Sequence, residues 1–333
     1  MDLTAPAADQ YREFARYADS SPTYQRWAEQ VATDRDVLAW LDALPRAKRQ
    51  PNLVFAAARW HGVSAPGPYA GLREALLGDD GPITSTVLTR RTQTNEVGRV
   101  ATLMPVLDRI SRECGRPLAL VEAGASAGLC LYPDRFDYAW TGDADRSEPH
   151  RLRGSAGPEL SCVVRGAPRL PTAYPVIKHR SGIDLNPLDV TDEDAMAWLA
   201  NLVWPGESKR AARLRQAIAV ARADPPQIVA GDLIDLLPAQ IEWASAYGQV
   251  VVFHSAVIAY LDPGRQAEFH ALMTELVAAG KCRWISNEDK HVLPRVVATG
   301  PDIPRDHPTF VLGLDGVALA WTHGHGSSMT WLR

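Results

Sequence analysis

After residue 115, short apolar runs alternate with amphipathic stretches, and this alternation restricts the fold more than any other feature of the sequence. The apolar runs cover 118–122, 176–184, 227–230, 250–254 and 283–286. Stretches with helical spacing, at 192–202, 209–222 and 265–279, separate several of them. Strands that alternate with helices are typical of a parallel sheet, and continuously apolar strands are buried on both faces. We therefore predict an α/β domain over residues 116–333.

A different pattern follows the last of these runs. Two short apolar segments, 309–314 and 317–322, flank Asp315 and Gly316, and a third covers 328–332. An Asp-Gly pair between two apolar runs is a strong signal for a tight hairpin. The parallel sheet should therefore end in an antiparallel hairpin.

The first 115 residues have a helical pattern. Phe14, Trp27 and Leu41 are among the apolar residues that recur at three- and four-residue steps. We predict a helical N-terminal region over 1–115 that covers the pocket of the sheet domain. Its last helix should start at a cap formed by Thr94 or Asn95, and Pro105 should bend or split it.

Composition limits the classes of partner. Hydrophobic residues make up 46% of the chain, charged residues 22%, and the net charge is −4. This balance is ordinary for a globular protein and gives no general attraction to nucleic acid or to anionic membranes. No apolar run approaches the length of a membrane span, so we expect a cytoplasmic protein with neither nucleic acid nor membrane as partner.

The cysteines and a basic stretch are two groups of side chains that bear on binding. The four cysteines lack the paired spacing of a zinc site or a disulfide framework. A basic stretch forms either a solvated face or a lid that faces an anion. It contains Arg146, Arg151, Arg153, Arg165, Arg169, Lys178 and Arg180.

The most informative segment follows the first apolar run. Glu122 ends that run, and Gly124, Ala125, Ser126 and Gly128 belong to a loop of very small residues. Such a loop lets a ligand approach the backbone closely, and the carboxylate can accept hydrogen bonds from a cationic or hydroxyl group. A tight strand-to-helix turn without a ligand is the alternative explanation. We expect a helix to begin near Gly128.

Glu122-x-Gly124-x-Ser126-x-Gly128 resembles motif I of the class I S-adenosylmethionine-dependent methyltransferases, with serine in place of the middle glycine. The predicted parallel sheet with a terminal hairpin also resembles that Rossmann-like superfamily. The resemblance implies S-adenosylmethionine as the cofactor. The positions that it assigns to cofactor binding are Glu122, Gly124, Ala125, Ser126, Gly128, Asp184, Asn186, Asp232, Leu233, His254 and Ser255.

In that superfamily the acid after the second strand holds the ribose hydroxyls, which is the role the resemblance gives to Asp184. The acid after the third strand meets the adenine amino group, which corresponds to Asp232. However, Asp184 follows Gly124 much later than one strand, helix and strand require. We therefore predict an insertion near 146–175. Alternatively, the second strand lies earlier and Asp184 is a surface residue.

A closer resemblance extends over nearly the whole chain. The helical start, residues 92–96, the motif I variant and the His323-Gly-His325 ending resemble a bacterial family known as domain of unknown function 2332. That resemblance implies a methyltransferase-like fold and supplies no substrate.

Methyl transfer requires alignment of the acceptor, plus removal of a proton when the acceptor is neutral. His254, at the tip of the fourth strand, is the first candidate for a base or acceptor-orienting group, and Tyr260, on the connection that follows, is the second candidate catalytic residue. A structural role for His254, bonded to the backbone, is an equal alternative, and Asp262 nearby is placed to cap a helix. His323 and His325 lack a third ligand, so no metal is expected.

Polar residues in two further places are candidates for binding the acceptor. Gln93, Asn95 and Glu96 precede the helix that leads into the glycine loop, and Asn287 and Glu288 close the fifth strand. Helix capping explains the first group equally well, and a loop turn explains the second.

Three functions therefore remain open at this point. The first is methyl transfer from S-adenosylmethionine to a small molecule. The second is non-catalytic binding of S-adenosylmethionine or a nucleotide on the same fold. The third, a nicotinamide-dependent oxidoreductase, is disfavoured by Glu122, whose charge would oppose a pyrophosphate, and by the terminal hairpin.

Overall fold

The computed structural model describes residues 5–142, 148–154, 157–304, 307 and 309–332. The chain forms two compact units, a helical unit of residues 1–94 and 193–212 and a sheet unit of residues 95–192 and 213–333. Residues 95–115, which we assigned to the helical region from their pattern, group with the sheet unit. The helical unit is thus assembled from two separate parts of the sequence.

The helices of the described residues are α1 (Ala7–Tyr17), α2 (Pro22–Val31), α3 (Arg35–Asp42), α4 (Pro51–Trp60), α5 (Tyr69–Leu77), α6 (Pro82–Thr89), α7 (Val100–Cys114), α8 (Glu193–Asn201), α9 (Ser208–Ala223), α10 (Leu233–Ala244), α11 (Pro263–Ala278) and α12 (Pro294–Val297). None of them combines the length and the apolar character that crossing a membrane requires.

The strands of the described residues are β1 (Leu118–Ala123), β2 (Asp137–Gly142), β3 (His150–Leu152), β4 (Glu159–Arg165), β5 (Ile177–Asp184), β6 (Gln227–Ala230), β7 (Gln249–Ser255), β8 (Arg283–Asp289), β9 (Phe310–Leu314), β10 (Val317–Thr322) and β11 (Ser328–Trp331).

Aromatic packing forms the core of the helical unit. The ring of Phe55 on α4 lies 5.0 to 6.0 Å, between centroids, from the rings of Tyr11, Phe14, Tyr24 and Trp27. These residues occupy the helical positions whose spacing predicted buried faces. α2, α4 and α6 each begin with proline, whose missing amide is not needed in a first turn.

The sheet unit contains one eleven-stranded sheet in the order β3-β2-β4-β11-β10-β9-β8-β7-β1-β5-β6. From β6 to β8 all neighbours are parallel. β9 is antiparallel to β8 and β10, and β10 is antiparallel to β11. β11 then pairs in parallel with β4, and β4 with β2, while β3 is antiparallel to β2. The fold is therefore mixed α/β with a mostly parallel sheet.

The predicted terminal hairpin is confirmed. β9 and β10 are joined through Asp315 and Gly316, whose φ angles are 52° and 82°. Two consecutive residues with positive φ match the twist of the flanking strands in a two-residue hairpin. The Asp315 carboxylate also accepts the Trp284 amide at 2.8 Å, which fixes the turn against β8.

The region between β1 and β5 differs from the expectation. The helix predicted to begin near Gly128 is a single 3₁₀ turn, Leu129–Leu131, because Pro133 cannot donate the amide that a longer helix needs. The predicted insertion contains β3 and β4, and β2 precedes it. Residues 143–147, including Arg146, and 155–156 lie outside the described part.

The helix before β1 also differs from the expectation. Its start follows a 3₁₀ turn, Val97–Arg99, which is capped by Glu96 rather than by Thr94 or Asn95. Of the bend or split expected at Pro105, the split is absent, because α7 is continuous from Val100 to Cys114. The indole nitrogen of Trp140 donates to the Ala101 carbonyl at 2.9 Å, so the acceptor that the proline leaves without an amide partner is satisfied by β2.

One face of the sheet packs against α10, α11 and α12 around a continuous apolar cluster. Alternate residues of the central strands point into it, among them Ala119 and Val121 of β1 and Val250 and Val252 of β7. β1 is buried along its whole length. Glu122 points to the other face, because successive side chains of a strand alternate.

Candidate functional site

The strand order reverses at β1, and this point determines where a ligand can bind. β1 lies between β5 and β7, and the connections leave these strands in opposite directions along the sheet. In open parallel sheets, ligands bind beyond the carboxyl ends of the strands at such a switch point. The loops after β1, β5 and β7 therefore form the candidate site.

The loop after β1 turns through three residues with positive φ. These are Gly124 (76°), Ser126 (53°) and Gly128 (68°). Gly128 has a packing reason as well, since an added Cβ would lie 2.7 Å from Cγ of Pro226. At Gly124 an added Cβ would overlap with the side chain of Val257, in the loop after β7. Contacts within the chain therefore account for part of the glycine pattern.

Glu122 is enclosed at the start of this loop. Only 4% of its surface is exposed, and its Oε2 has no hydrogen-bond partner among the described residues. Burial raises the pKa of Glu122 well above its ordinary value, and the charge of Asp184 raises it further. Arg99 and the thiol of Cys130 act in the opposite direction. The carboxyl group therefore lacks the compensation that its ionised form needs.

Ser126 presents a second buried oxygen without a partner. The residue is 4% exposed, and its hydroxyl makes no hydrogen bond within the described residues. Buried polar atoms are almost always bonded, so each exception needs an explanation such as a ligand or an ordered water. Glu122 at the end of β1 and Ser126 in the loop after it bring two such atoms to the edge of the sheet where a ligand is expected, which makes this loop a ligand-binding candidate.

Asp184 lies against this loop. One carboxylate oxygen accepts the Ser126 amide and the other accepts the Asn186 amide, both at 2.8 Å. The structure therefore places Asp184, at the end of β5, next to the loop. This position agrees with the interpretation of Asp184 as the acid that follows the second strand of the predicted sheet. Ala125 packs on the same strand, because an added Cβ on Gly182 would overlap with the Ala125 side chain.

The polar residues before α7 support the same loop. The Asn95 side-chain oxygen accepts the Leu129 amide at 2.7 Å, and Glu96 Oε1 accepts the Gly98 amide at 3.0 Å. Glu96 also lies 3.7 Å from Arg213. Glu96 is thus a cap, as the alternative explanation predicted, whereas Asn95 supports the 3₁₀ turn after β1. Acceptor binding by either residue stays a prediction. Gln93 belongs to the helical unit.

Arg99 is a site residue that the sequence did not reveal. Its guanidinium donates to the carbonyls of Gly324 at 2.7 Å and Ser255 at 3.1 Å. It also lowers the pKa of Glu122 by its charge. No motif marked this arginine, because its partners are backbone carbonyls far away in the sequence.

His254 is fully buried, and both ring nitrogens are occupied. Nε2 accepts from the indole nitrogen of Trp284 at 3.0 Å, and Nδ1 lies 2.7 Å from Glu288 Oε1. An acceptor role for Nε2 leaves the proton on Nδ1, which donates to the carboxylate. This tautomer follows from the hydrogen-bond network. The arrangement favours the structural alternative over a role as general base.

Glu288 and Asn287 hold the loop after β7 in place. Glu288 Oε1 also accepts the amides of Val257 at 3.1 Å and Ile258 at 3.2 Å. The Asn287 amide nitrogen donates to the Ser255 hydroxyl at 3.2 Å. The Asn287 side-chain oxygen accepts the Thr322 hydroxyl of β10 at 2.7 Å, and Glu288 Oε2, like Glu122 Oε2, has no hydrogen-bond partner among the described residues.

The remaining candidate residues follow β6 and β7 in the sequence. Tyr260 is 79% exposed, and its predicted catalytic role gains no support from its surroundings. Asp232 caps α10 and pairs with Arg265 at 2.6 Å, while Leu233 is buried in the core. Asp262 caps α11.

Three arginines of the basic stretch form ion pairs in the described part of the chain. Arg151 and Arg153 pair with Glu159, and Arg180 pairs with Asp134 at 2.7 Å. The pairings favour the solvated face over an anion lid. The amide of His325 donates to the ring of His323. In the described residues, no group of three or more metal-binding side chains could hold a metal ion.

The fold and the site thus define a mixed α/β protein with a buried carboxyl group beside a small-residue loop at the switch point of its sheet. The chain belongs to the bacterial family DUF2332, described as uncharacterized protein conserved in bacteria, whose model matches residues 8–331. The resemblance to this family inferred from the sequence is confirmed. No curated protein sequence matches the chain significantly.

Proposed function

We propose that this protein binds S-adenosylmethionine at the ends of β1, β5 and β7 and transfers its methyl group to a small molecule in the cytoplasm. The order β6-β5-β1-β7-β8 supports the proposal, since its reversal at β1 creates the crevice in which Rossmann-like proteins bind nucleotides. The acid-and-glycine pattern at 122–128 lies at that crevice and resembles methyltransferase motif I.

The observation that carries the proposal is the pair of buried oxygens without partners, Glu122 Oε2 and Ser126 Oγ. An unsatisfied buried acceptor is unfavourable, and a ligand with hydrogen-bond donors would remove that penalty. A cationic donor would also compensate the charge of Glu122. The ammonium and hydroxyl groups of an adenosyl sulfonium ligand have this chemistry.

The residues present fit such a ligand in part. Glu122 and Ser126 would bind its polar groups, and Asp184, whose carboxylate accepts the amides of Ser126 and Asn186, would lie beside its hydroxyl groups. Bound S-adenosylmethionine would supply an electrophilic methyl group. The chain would contribute orientation of the acceptor and exclusion of water, because His254 has no free nitrogen with which to take a proton.

The occupied nitrogens of His254 and the exposure of Tyr260 also favour a second candidate function. In this alternative the protein binds S-adenosylmethionine or a related nucleotide without turnover. A methyl acceptor that is already deprotonated would need no base, so the two functions differ in product formation rather than in binding.

Isothermal titration calorimetry of the full chain with S-adenosylhomocysteine, S-adenosylmethionine and NAD tests the binding. We expect the two adenosyl ligands to bind and Glu122→Gln to weaken them by about tenfold or more, through loss of a charge-assisted hydrogen bond. Glu275→Gln, an exposed glutamate on α11, is the matched control and should change nothing.

Binding of NAD alone would reject the proposal in favour of the oxidoreductase function. If the adenosyl ligands bind, incubation of the protein with S-adenosylmethionine and a mixture of metabolites, followed by mass spectrometry, separates the two candidates. A methylated product establishes the transferase. Tight binding without any product supports the non-catalytic alternative.

A further inference from the structure

The loops that follow β1 and β7 touch each other beside the candidate site. A Cβ added to Gly124 would overlap with the side chain of Val257. Because ligands at a switch point lie between these two loops, the crevice between β1 and β7 is the expected path of an adenosyl ligand. In this conformation the Val257 side chain packs against Gly124 and against the apolar cluster on the α10, α11 and α12 face of the sheet.

A chain of buried hydrogen bonds holds Val257 in this position. Glu288 Oε1 accepts the amides of Val257 and Ile258. The same oxygen receives the Nδ1 proton of His254, whose Nε2 is held by Trp284. The side chains of His254, Trp284 and Glu288 belong to the neighbouring strands β7 and β8. The position of Val257 is therefore set from the sheet.

The backbone just before Val257 is strained. Ala256 has φ 56°, in the left-handed region, where the Cβ of an alanine lies too close to a carbonyl oxygen. Its amide donates to the Asn287 carbonyl at 3.2 Å. A strained residue persists only where its surroundings hold it, and such residues are found in switch segments. The strain favours departure from the closed conformation once the bonds to Glu288 break.

We propose that residues 256–258 form a gate on the candidate ligand site, which Val257 closes beside Gly124 and Glu288 holds closed. This inference rests on the proposed function, since it requires a ligand that lies across Gly124. Opening releases two amides from Glu288 and lets Ala256 leave the left-handed region. The ligand then takes the place of Val257. Glu288 and His254 act as positioning residues of the gate.

Affinity follows from the fraction of molecules in which the gate is open. When only a fraction of a protein can bind, the apparent dissociation constant rises in proportion to the inverse of that fraction. A smaller side chain at position 257 weakens the contact that closes the gate, and a larger one strengthens it. Substitutions at this position should therefore change affinity in opposite directions.

The test is calorimetric titration of the full chain with S-adenosylhomocysteine. We expect Val257→Ala to lower the Kd by about tenfold, which corresponds to an open fraction that rises from about one tenth to nearly one. We expect Val257→Ile to raise the Kd. Stopped-flow binding should place the gain of Val257→Ala in the association rate. Val297→Ala is the matched control, since Val297 is also half-buried against the same apolar cluster and should leave the Kd unchanged.

The outcomes separate the gate from the site. If the natural protein binds and both Val257 variants bind with the same Kd, the gate is rejected and the proposed function stands. If none of the four proteins binds, the proposed function fails and the gate fails with it. Should Val257→Ala not fold, Val257→Ile decides the question alone, because an unchanged Kd in that variant also rejects the gate.

Discussion

The environment of Glu122 disfavours the ionised form of its carboxyl group. It is buried, and one of its oxygens lacks a partner among the described residues. Burial removes water from the charged form, and this desolvation is the largest of the effects that raise the pKa of the carboxyl group. The residue therefore destabilises the ligand-free protein at pH values where an exposed glutamate would be ionised.

This property predicts a dependence of stability on pH. Above the ordinary pKa of 4.5, the unfolded chain releases the proton of Glu122 while the folded chain keeps it. The free energy of unfolding should thus fall as the pH rises from 4.5 to the raised pKa of the folded state, by up to about 1.4 kcal/mol per pH unit. Urea unfolding at pH 5, 6, 7 and 8 measures it.

In Glu122→Gln this contribution is absent, so the variant should gain stability relative to the natural protein as the pH rises. Glu275→Gln should follow the natural protein at every pH. If the free energies of unfolding of Glu122→Gln and the natural protein changed in parallel with pH, burial would not raise the pKa of the Glu122 carboxyl group.

At the scale of residues, the sequence revealed which positions matter more readily than what they contact. The small residues at 124 and 128 indicated a tight turn, and the structure confirms positive φ at both. It could not reveal that Val257 fills the space at Gly124, because the two residues meet only through the pairing of β1 with β7. For His254, the sequence could not distinguish a catalytic from a structural role, because the distinction depends on the contacts of its ring with Trp284 and Glu288.

At the scale of elements, continuous apolar runs were sufficient to predict strands. β1 and β5 through β11 all lie on predicted runs, although the burial on both faces that we expected holds for central strands such as β1 and β7 and not for β6, which is mostly exposed. β2, β3 and β4 were missed. β4 alternates between buried and exposed residues, and β3 has only three residues, so neither produces the apolar run that the prediction relied on.

The bond between Trp140 and α7 yields a prediction for these missed strands. Trp140→Phe removes the donor to the Ala101 carbonyl and should cost about 2 to 3 kcal/mol of unfolding free energy through a buried acceptor and a small cavity. In a Pro105→Ala background, the new amide can bond to Ala101. The same Trp140→Phe change should then cost about 1 kcal/mol less.

A double-mutant cycle from urea unfolding of the four proteins measures this coupling. Equal costs of Trp140→Phe in both backgrounds would mean that the indole contributes packing only. In that case, the bond from the indole to Ala101 would not explain how α7 continues through Pro105.

At the scale of the whole molecule, the helical unit depends on residues from two distant parts of the sequence. Arg59 on α4 donates to the carbonyls of Asn201 and Val203, both at 2.9 Å. Trp204 donates to the side chain of Asn52 at 2.9 Å, and its ring lies 5.2 Å from that of Phe14. The periodicity of the first hundred residues gave no indication that a later segment completes this core.

We therefore predict that a fragment of residues 1–94 does not fold cooperatively. Without residues 193–212, the Arg59 guanidinium loses the carbonyls of Asn201 and Val203, and the aromatic cluster loses the ring of Trp204. Near-ultraviolet circular dichroism and thermal unfolding should show weak, non-cooperative signals. Joining 193–212 to the fragment through a flexible linker should restore a cooperative transition, and a cooperative transition of 1–94 alone would contradict the prediction.

The position of β11 has a consequence for biosynthesis. β11 lies between β10 and β4, so it bridges the strands of the first half of the sheet unit to those of the second. During translation, β2, β3 and β4 emerge from the ribosome well before residues 328–331 have been made. Until β11 is made, the backbone amides and carbonyls along one side of β4 remain unpaired. We therefore expect nascent chains stalled before residue 328 to be the form of this protein that chaperones bind most strongly.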